Sequence, residues 1–196
     1  MENTFEFDLT EKLLSDLPPR KRQIFLYGVC RRLRDGFALF SERTGQRGTS
    51  IIDLCLKGAR EAITNASRAF DWQGLAADAD LVAPDTANFS DPFTSTALDS
   101  AVATANLMRS FDDDDTGLIT EGVSLIIDSI DMWIQVANNI DSSAPNIEDL
   151  IRQHPLMMRE IEILHATYNY FQEEDRAAFL LAFIDQNSGW CLRDVE

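Results

Sequence analysis

Apolar residues recur at helical spacing along most of this chain, and this pattern constrains the fold more than any other feature. In residues 20–35 the spacing i, i+1, i+4, i+8 places four apolar side chains on one helix face: Phe25, Leu26, Val29 and Leu33. A strand would need apolar residues at every second position, and no such run rich in Val, Ile and Thr occurs. The pattern therefore predicts an all-α protein.

Punctuating residues divide the chain into seven to nine predicted helices. Pro18 and Pro19 suit the first turn of a helix, and Gly45 suits the end of the segment that holds Phe37 and Phe40. A further helix is predicted to begin at a Ser50 cap. Others are predicted at residues 9–17, 94–111, 118–137, 156–171 and 173–186. Short loops and 196 residues predict one compact domain over 1–196, a bundle of antiparallel neighbours.

One stretch breaks the helical pattern, at about 71–93. It contains Pro84, Pro92 and five aspartates, and few of its apolar residues are periodic. We expect an acidic connecting loop there.

Charge is strongly uneven along the chain and limits the classes of partner. The net charge is −16, with +3 in residues 1–70 and −19 in residues 71–196. Such a surface repels nucleic-acid phosphates, so no nucleic-acid partner is expected. No apolar run is long enough to cross a membrane, and the polar start lacks a signal-peptide pattern, so we expect a cytoplasmic protein with no membrane partner.

Catalytic and metal-binding signals are weak throughout. Cys30, Cys55 and Cys191 are widely spaced and form no CxxC pair, which argues against a disulfide framework or a zinc site. Glu162 and His165 have the Glu-x-x-His spacing of di-iron bundles, but the chain lacks the second such pair. Nucleotide-binding and nucleophile motifs are absent. The sequence therefore predicts no catalytic residue, no metal ligand and no cofactor.

The segment 112–121 comes close to a calcium loop without completing one. Counted from Asp112, positions 1, 3, 5 and 6 of an EF-hand are filled, but Val123 stands where a bidentate Glu is required. Residues 185–196 fail differently, because Trp190 occupies the sharp-turn position. Asp115 or Thr116 is better explained as the cap of the next helix. Weak cation binding at 112–121 stays a lesser alternative.

Basic residues are concentrated near the start of the chain. Six of the 17 positive charges fall within fifteen residues: Arg20, Lys21, Arg22, Arg31, Arg32 and Arg34. Arginine suits bidentate contacts with carboxylate or phosphate. These side chains either pair with the protein's own acidic residues or form a docking surface for a partner. For the second case Arg31, Arg32 and Arg34 are the candidate partner-binding residues, and the acidic face opposite is the alternative contact surface.

The segment "FLYGVCRRLRDGFALFSERTG" resembles the YjaG-like family, bacterial proteins that form a domain of unknown function. The matching residues are Phe25, Arg32, Phe37, Phe40 and Gly45, followed by Pro84, Phe89, "ALDSAVATANLM" and "HPLMMREIE". The chain departs from the family at "KGAREA" and at its C-terminal end, "SGWCLRDVE". The resemblance implies an all-helical fold and a bacterial cytosolic setting, and it implies no activity.

Two functional hypotheses remain from the sequence. The first is a non-catalytic helical protein that binds a macromolecular, protein partner. The alternative is a small-ligand-binding protein or an enzyme with a pocket between helices. A filled core with a bare charged or apolar patch would favour the first, and a closed apolar cavity with convergent polar groups would favour the second.

Overall fold

The computed structural model describes residues 14–65, 69–113, 115–140 and 146–189. Within them lie eight helices and no strand: α1 Pro19–Thr44, α2 Thr49–Thr64, α3 Trp72–Leu81, α4 Thr94–Arg109, α5 Thr116–Ala137, α6 Ile147–Arg152, α7 Pro155–Glu173 and α8 Ala177–Gln186. The predicted all-α class and the number of helices are confirmed. The predicted helix at 9–17 falls largely outside the described residues, and the single domain over 1–196 stays a prediction.

Helices α1 and α4 form the centre of the bundle. α1 packs against α2, α4 and α5, and α4 also packs against α3 and α5. Three residues of α4 spaced four apart, Ala97, Ala101 and Ala105, are completely buried. Their methyl side chains allow neighbouring helices to approach closely, because the distance between helix axes depends on the side chains at the contact. One continuous cluster of buried apolar side chains results.

Local sequence signals explain several helix ends. Pro19 and Pro155 begin α1 and α7 at positions that need no backbone N–H. Gly45 ends α1 in the left-handed conformation, with φ of 76°, and its N–H donates to the carbonyl of Ser41. The predicted stop at Gly45 is therefore confirmed. The predicted Ser50 cap is wrong by two residues, because Gly48 precedes the first helical residue of α2.

The expected loop at about 71–93 contains a helix instead. Asp71 caps α3, and its Oδ1 accepts a hydrogen bond of 2.9 Å from the N–H of Gly74. The buried residues of α3 are Ala76 and Ala79, and Trp72 and Leu75 pack half-buried against the core. Only residues 82–93 connect helices as expected, joining α3 to α4.

Two glycines of the bundle permit close helix contacts. A Cβ at Gly28 of α1 would overlap the side chain of Ile184 of α8, and one at Gly122 of α5 would overlap Leu26 of α1. The first contact seats the C-terminal end of α8 beside α1, next to α2.

Among the helices of the described residues, each is too short or too polar to span a bilayer.

Candidate functional site: a basic cleft between α1, α2 and α8

An open cleft of about 480 Å³ lies where α1, α2 and the end of α8 meet. Four of its ten lining residues are basic. The lining consists of Tyr27, Arg31, Arg34 and Asp35 from α1, Asp53, Leu56, Lys57 and Arg60 from α2, and Ser188 and Gly189 after α8. We call this feature the basic cleft.

Helical spacing explains why these charges converge. Arg31 and Arg34 are three residues apart on α1, so their side chains project from the same face. Lys57 and Arg60 have the same spacing on α2, and the two helices pack against each other. The basic cleft is therefore formed by two basic faces that the packing of α1 against α2 brings together.

Two of the four cations are held by carboxylates. Arg34 donates from Nε and Nη2 to the two carboxylate oxygens of Asp53, at 2.8 and 2.9 Å. Arg60 binds Asp185 of α8 in the same bidentate way, at 2.8 and 2.6 Å, and also donates to the hydroxyl of Tyr27 at 3.3 Å. Both guanidinium groups are thereby fixed in place.

These pairs shift the pKa values of Asp185, Arg60 and Arg34. The hydrogen bond from Arg60 holds the pKa of the Asp185 carboxyl below its usual value, and the charge of Arg31 adds to the effect. The hydrogen bonds to Asp185 and Asp53 raise the pKa values of Arg60 and Arg34. Asp185, Arg60 and Arg34 are therefore charged at neutral pH.

The other two cations, Arg31 and Lys57, form no ion pair within 4 Å with any residue that the structure describes. Arg31 is half-buried at the cleft and Lys57 is exposed. Among the described residues, these four cations face the three carboxylates of Asp35, Asp53 and Asp185, which leaves one net positive charge. The cleft is therefore positive on a protein whose net charge is −16.

Arg32 does not contribute to this surface, which corrects the sequence-based prediction. Its side chain is 2% exposed, and its Nε and Nη2 donate to Oε1 of Glu160 in α7, at 3.0 and 2.7 Å. Nη1 donates to the carbonyl of Gly28 at 3.2 Å. Glu160 is completely buried, and its Oε2 has no hydrogen-bond partner among the described residues. Arg32 is thus an interior residue that links α1 to α7.

The earlier basic residues lie away from the cleft and connect helices. Lys21 donates to the carbonyl of Phe171 at 2.6 Å and pairs with Asp175. Arg22 donates to the hydroxyl of Thr116 at 2.5 Å. Of the candidate partner-binding residues, Arg31 and Arg34 are thus brought together at the cleft.

The acidic segment at 112–121 is organised by helix capping. Oδ1 of Asp115 accepts from the N–H of Gly117 at 2.7 Å, so the predicted cap at Asp115 is confirmed. Glu121 accepts from the side chain of Asn106, and Asp112 from that of Gln73. In the part of the chain that the structure describes, which omits Asp114, no three His, Cys, Asp or Glu residues are grouped to hold a metal.

Comparison with protein families identifies the group to which this molecule belongs. The model of a family described as "Protein of unknown function (DUF416)" matches residues 9–187. The chain belongs to the DUF416 family. The crystal structure of a DUF416 family protein from Shewanella baltica OS155 is similar in fold, with a TM-score of 0.82 and 18% identity over 90% of this chain and 91% of that one. The comparison with curated proteins gave no match.

The cysteines that the structure describes and His154 lie outside the basic cleft of this DUF416 protein. Cys30 and Cys55 are free and buried, and burial raises the pKa of each thiol, that of Cys55 to about 11. A buried, protonated thiol is a poor nucleophile. The Nδ1 atom of His154 accepts from the N–H of Leu156 at 3.3 Å and so caps α7. No His or Cys is among the cleft residues given above.

Sequence reasoning missed Lys57 and Arg60. Both lie in a helix whose apolar face was evident, and their three-residue spacing was visible. That spacing alone does not reveal that α2 packs beside Arg31 and Arg34, since this contact depends on tertiary structure.

Proposed function

We propose that this DUF416 protein is a non-catalytic binding protein that holds an anionic segment of a protein partner in the basic cleft. The observation that carries the proposal is that Arg31 and Lys57 present their charges to the cleft without an ion pair among the described residues. Their neighbours Arg34 and Arg60 are fixed by carboxylates. Carboxylates of a partner can bind these two cations without first breaking an ion pair within the protein.

The character of the surface supports a protein partner over a nucleic acid. The strongly negative chain repels a phosphate backbone beyond the cleft, whereas a short acidic peptide contacts the cleft alone. Stacking between bases and aromatic rings is also unsupported at this site, since Tyr27 is 1% exposed.

Fluorescence anisotropy of a labelled oligo-glutamate peptide tests the proposal. We expect salt-dependent binding by the wild type and about tenfold weaker binding by the double variant Arg31→Glu/Lys57→Glu, since each reversal removes one attraction and adds one repulsion. Arg47→Glu is the matched control, because Arg47 is exposed and outside the cleft lining. Equal binding by both variants, or tighter binding of an oligonucleotide of equal charge, would contradict the proposal.

The second candidate function is the binding of a small anionic ligand, either by a binding protein or by an enzyme with this pocket. The cleft volume of about 480 Å³ lies in the usual range for ligand pockets, roughly 300–1,000 Å³. The wide opening and the charged lining are less typical of such pockets, which are mostly apolar. A rise in melting temperature with citrate or inorganic phosphate, abolished in Arg31→Glu/Lys57→Glu, would favour this candidate.

The subgroup within the family, the source and the cellular location of the chain are part of the same proposal. We infer a YjaG-like member of the family, bacterial and cytoplasmic. The resemblance from Phe25 to Gly45 supports a YjaG-like member, and a bacterial relative of the same fold supports a bacterial source. Free buried thiols at Cys30 and Cys55 suit a reducing compartment.

A further inference from the structure

A second hollow lies on the other side of α2 and shares one residue with the basic cleft. It has a volume of about 250 Å³ and is lined by Leu54, Lys57, Gly58, Glu61, Phe70 and Leu75. Lys57 lines both depressions. A ligand that crosses α2 at Lys57 would therefore contact both. We call the second depression the apolar hollow.

The walls and floor of the apolar hollow suit an apolar side chain. Leu54 is 51% exposed, and Phe70 and Leu75 are half-buried. Gly58 forms the floor, because a Cβ built on it would contact Phe70 at 3.5 Å and Leu75 at 3.7 Å. An exposed apolar surface of this kind gains from being covered by another apolar group.

Charges at the two rims give the site a direction. Lys57 lies at the rim shared with the basic cleft, whereas Glu61 lies one helical turn further along α2. A carboxylate is attracted to Lys57 and to Arg31 on the cleft side. An acidic ligand is therefore directed to the cleft side of Lys57, with its uncharged part over the hollow.

We propose that the bound segment is an acidic peptide with a large apolar side chain next to its carboxylates. The carboxylates bind Arg31 and Lys57 in the basic cleft, and the apolar side chain occupies the hollow above Gly58. This inference rests on the proposed function and specifies the partner. Charge complementarity supplies orientation and encounter, and the apolar contact supplies selectivity among acidic segments.

Two labelled peptides of equal charge test the inference. The first contains glutamate and serine only, and the second has leucine in place of one serine, with the leucine placed in turn at each position. We expect at least one leucine peptide to bind the wild type about tenfold more tightly, since burying a large aliphatic side chain commonly gives such a gain. The readout is the anisotropy titration at low salt.

Gly58→Ala separates loss of binding from loss of folding. The added methyl fills the floor of the hollow at ordinary contact distances, and alanine is a better helix former than glycine. We expect a higher melting temperature together with loss of the leucine gain. Leu54→Ser should also reduce that gain, and Leu81→Ser is its matched control, because Leu81 is 84% exposed and outside both depressions.

The outcomes distinguish this inference from the proposed function. Equal binding of all peptides, with a dependence on Arg31 and Lys57, would overturn the apolar contact and leave the acidic partner standing. Binding of no acidic peptide would overturn both. A leucine gain that persists in Gly58→Ala and in Leu54→Ser would place the apolar contact elsewhere and overturn the inference.

Discussion

Arg31 and Arg32 are adjacent in the sequence, yet they lie in opposite environments. Arg31 projects into the open cleft, and Arg32 is buried against Glu160 of α7. Successive residues of an α-helix are rotated by roughly 100°, so one residue can face solvent and the next the core. The comparison shows that the charge of a segment alone does not predict a charged surface. The face of the helix on which each residue lies decides whether its charge reaches solvent.

The two environments also differ in energetic consequence. At the surface, the bidentate pair of Arg34 and Asp53 remains in contact with water, which weakens its contribution. In the interior, Arg32 and Glu160 have both lost their hydration, and each takes the place of water as the other's hydrogen-bond partner. Removing one partner should therefore have a much larger effect inside than outside.

Glu160→Ala tests the interior side and should give the largest effect. It leaves the Arg32 guanidinium buried without its carboxylate, so the free energy of unfolding should fall by about 3–5 kcal/mol. Urea denaturation measures the change. The double variant Arg32→Met/Glu160→Leu removes both charges and should recover most of the stability. A change below about 1 kcal/mol in Glu160→Ala would show that water reaches the pair.

Asp99 extends the comparison to a second interior acid. It is 8% exposed, and the hydroxyl of Ser129 donates to its Oδ2 at 2.6 Å. Burial raises the pKa of Asp99 to about 6, despite that hydrogen bond. Because the folded protein binds this proton more tightly, the stability from this group is full below pH 4 and is lost as the pH rises through 6.

Asp99→Asn should therefore stabilise the protein above pH 6, by up to about 3 kcal/mol, and have little effect below pH 4. Denaturation of both proteins across this pH range isolates Asp99 together with its charge coupling to Asp128. A stability difference that does not change with pH would show that Asp99 has an ordinary pKa in the folded protein.

Arg34→Ala tests the surface side. Arg34 keeps 28% of its side chain exposed and Asp53 keeps 49%, so water already screens the pair. We expect a loss of at most about 1 kcal/mol in the free energy of unfolding. The comparison with Glu160→Ala would fail if the two losses were equal.

Charge reversal at Arg31 and Lys57 should have the smallest effect on stability. Neither residue forms an ion pair with a described residue, so Arg31→Glu/Lys57→Glu should change the free energy of unfolding by roughly 0.5 kcal/mol or less per site. The same variant should lose about tenfold in affinity for oligo-glutamate. A large loss of stability would instead indicate a structural role for these cations.

Features that depend on neighbouring residues in the chain could be predicted from the sequence. The helical class, the stop at Gly45 and the cap at Asp115 all follow from local spacing and backbone preference. Helix α3 was missed because the prolines and aspartates of residues 71–93 outweighed the short apolar period of Trp72, Leu75 and Ala79. With ten residues, α3 offers few positions from which such a period can be read, although it packs against α4.

The candidate site could be predicted only in part. Arg31 and Arg34 stand out in a basic segment, but Lys57 and Arg60 reach them only through the packing of α1 against α2. The burial of Arg32 depends on Glu160, one of 33 acidic residues in the chain. Nothing in the local sequence distinguishes that glutamate from the others, because its role is set by the position of α7.

The buried thiols of α1 and α2 report how often the packing around each of them opens. Cys30 and Cys55 are both completely buried, so an alkylating reagent reaches them only when the packing around them opens. Mass spectrometry of the two cysteine peptides would give the opening rate of each helix separately. A ligand that crosses α2 should slow the labelling of Cys55, which makes its modification rate a label-free report of occupancy.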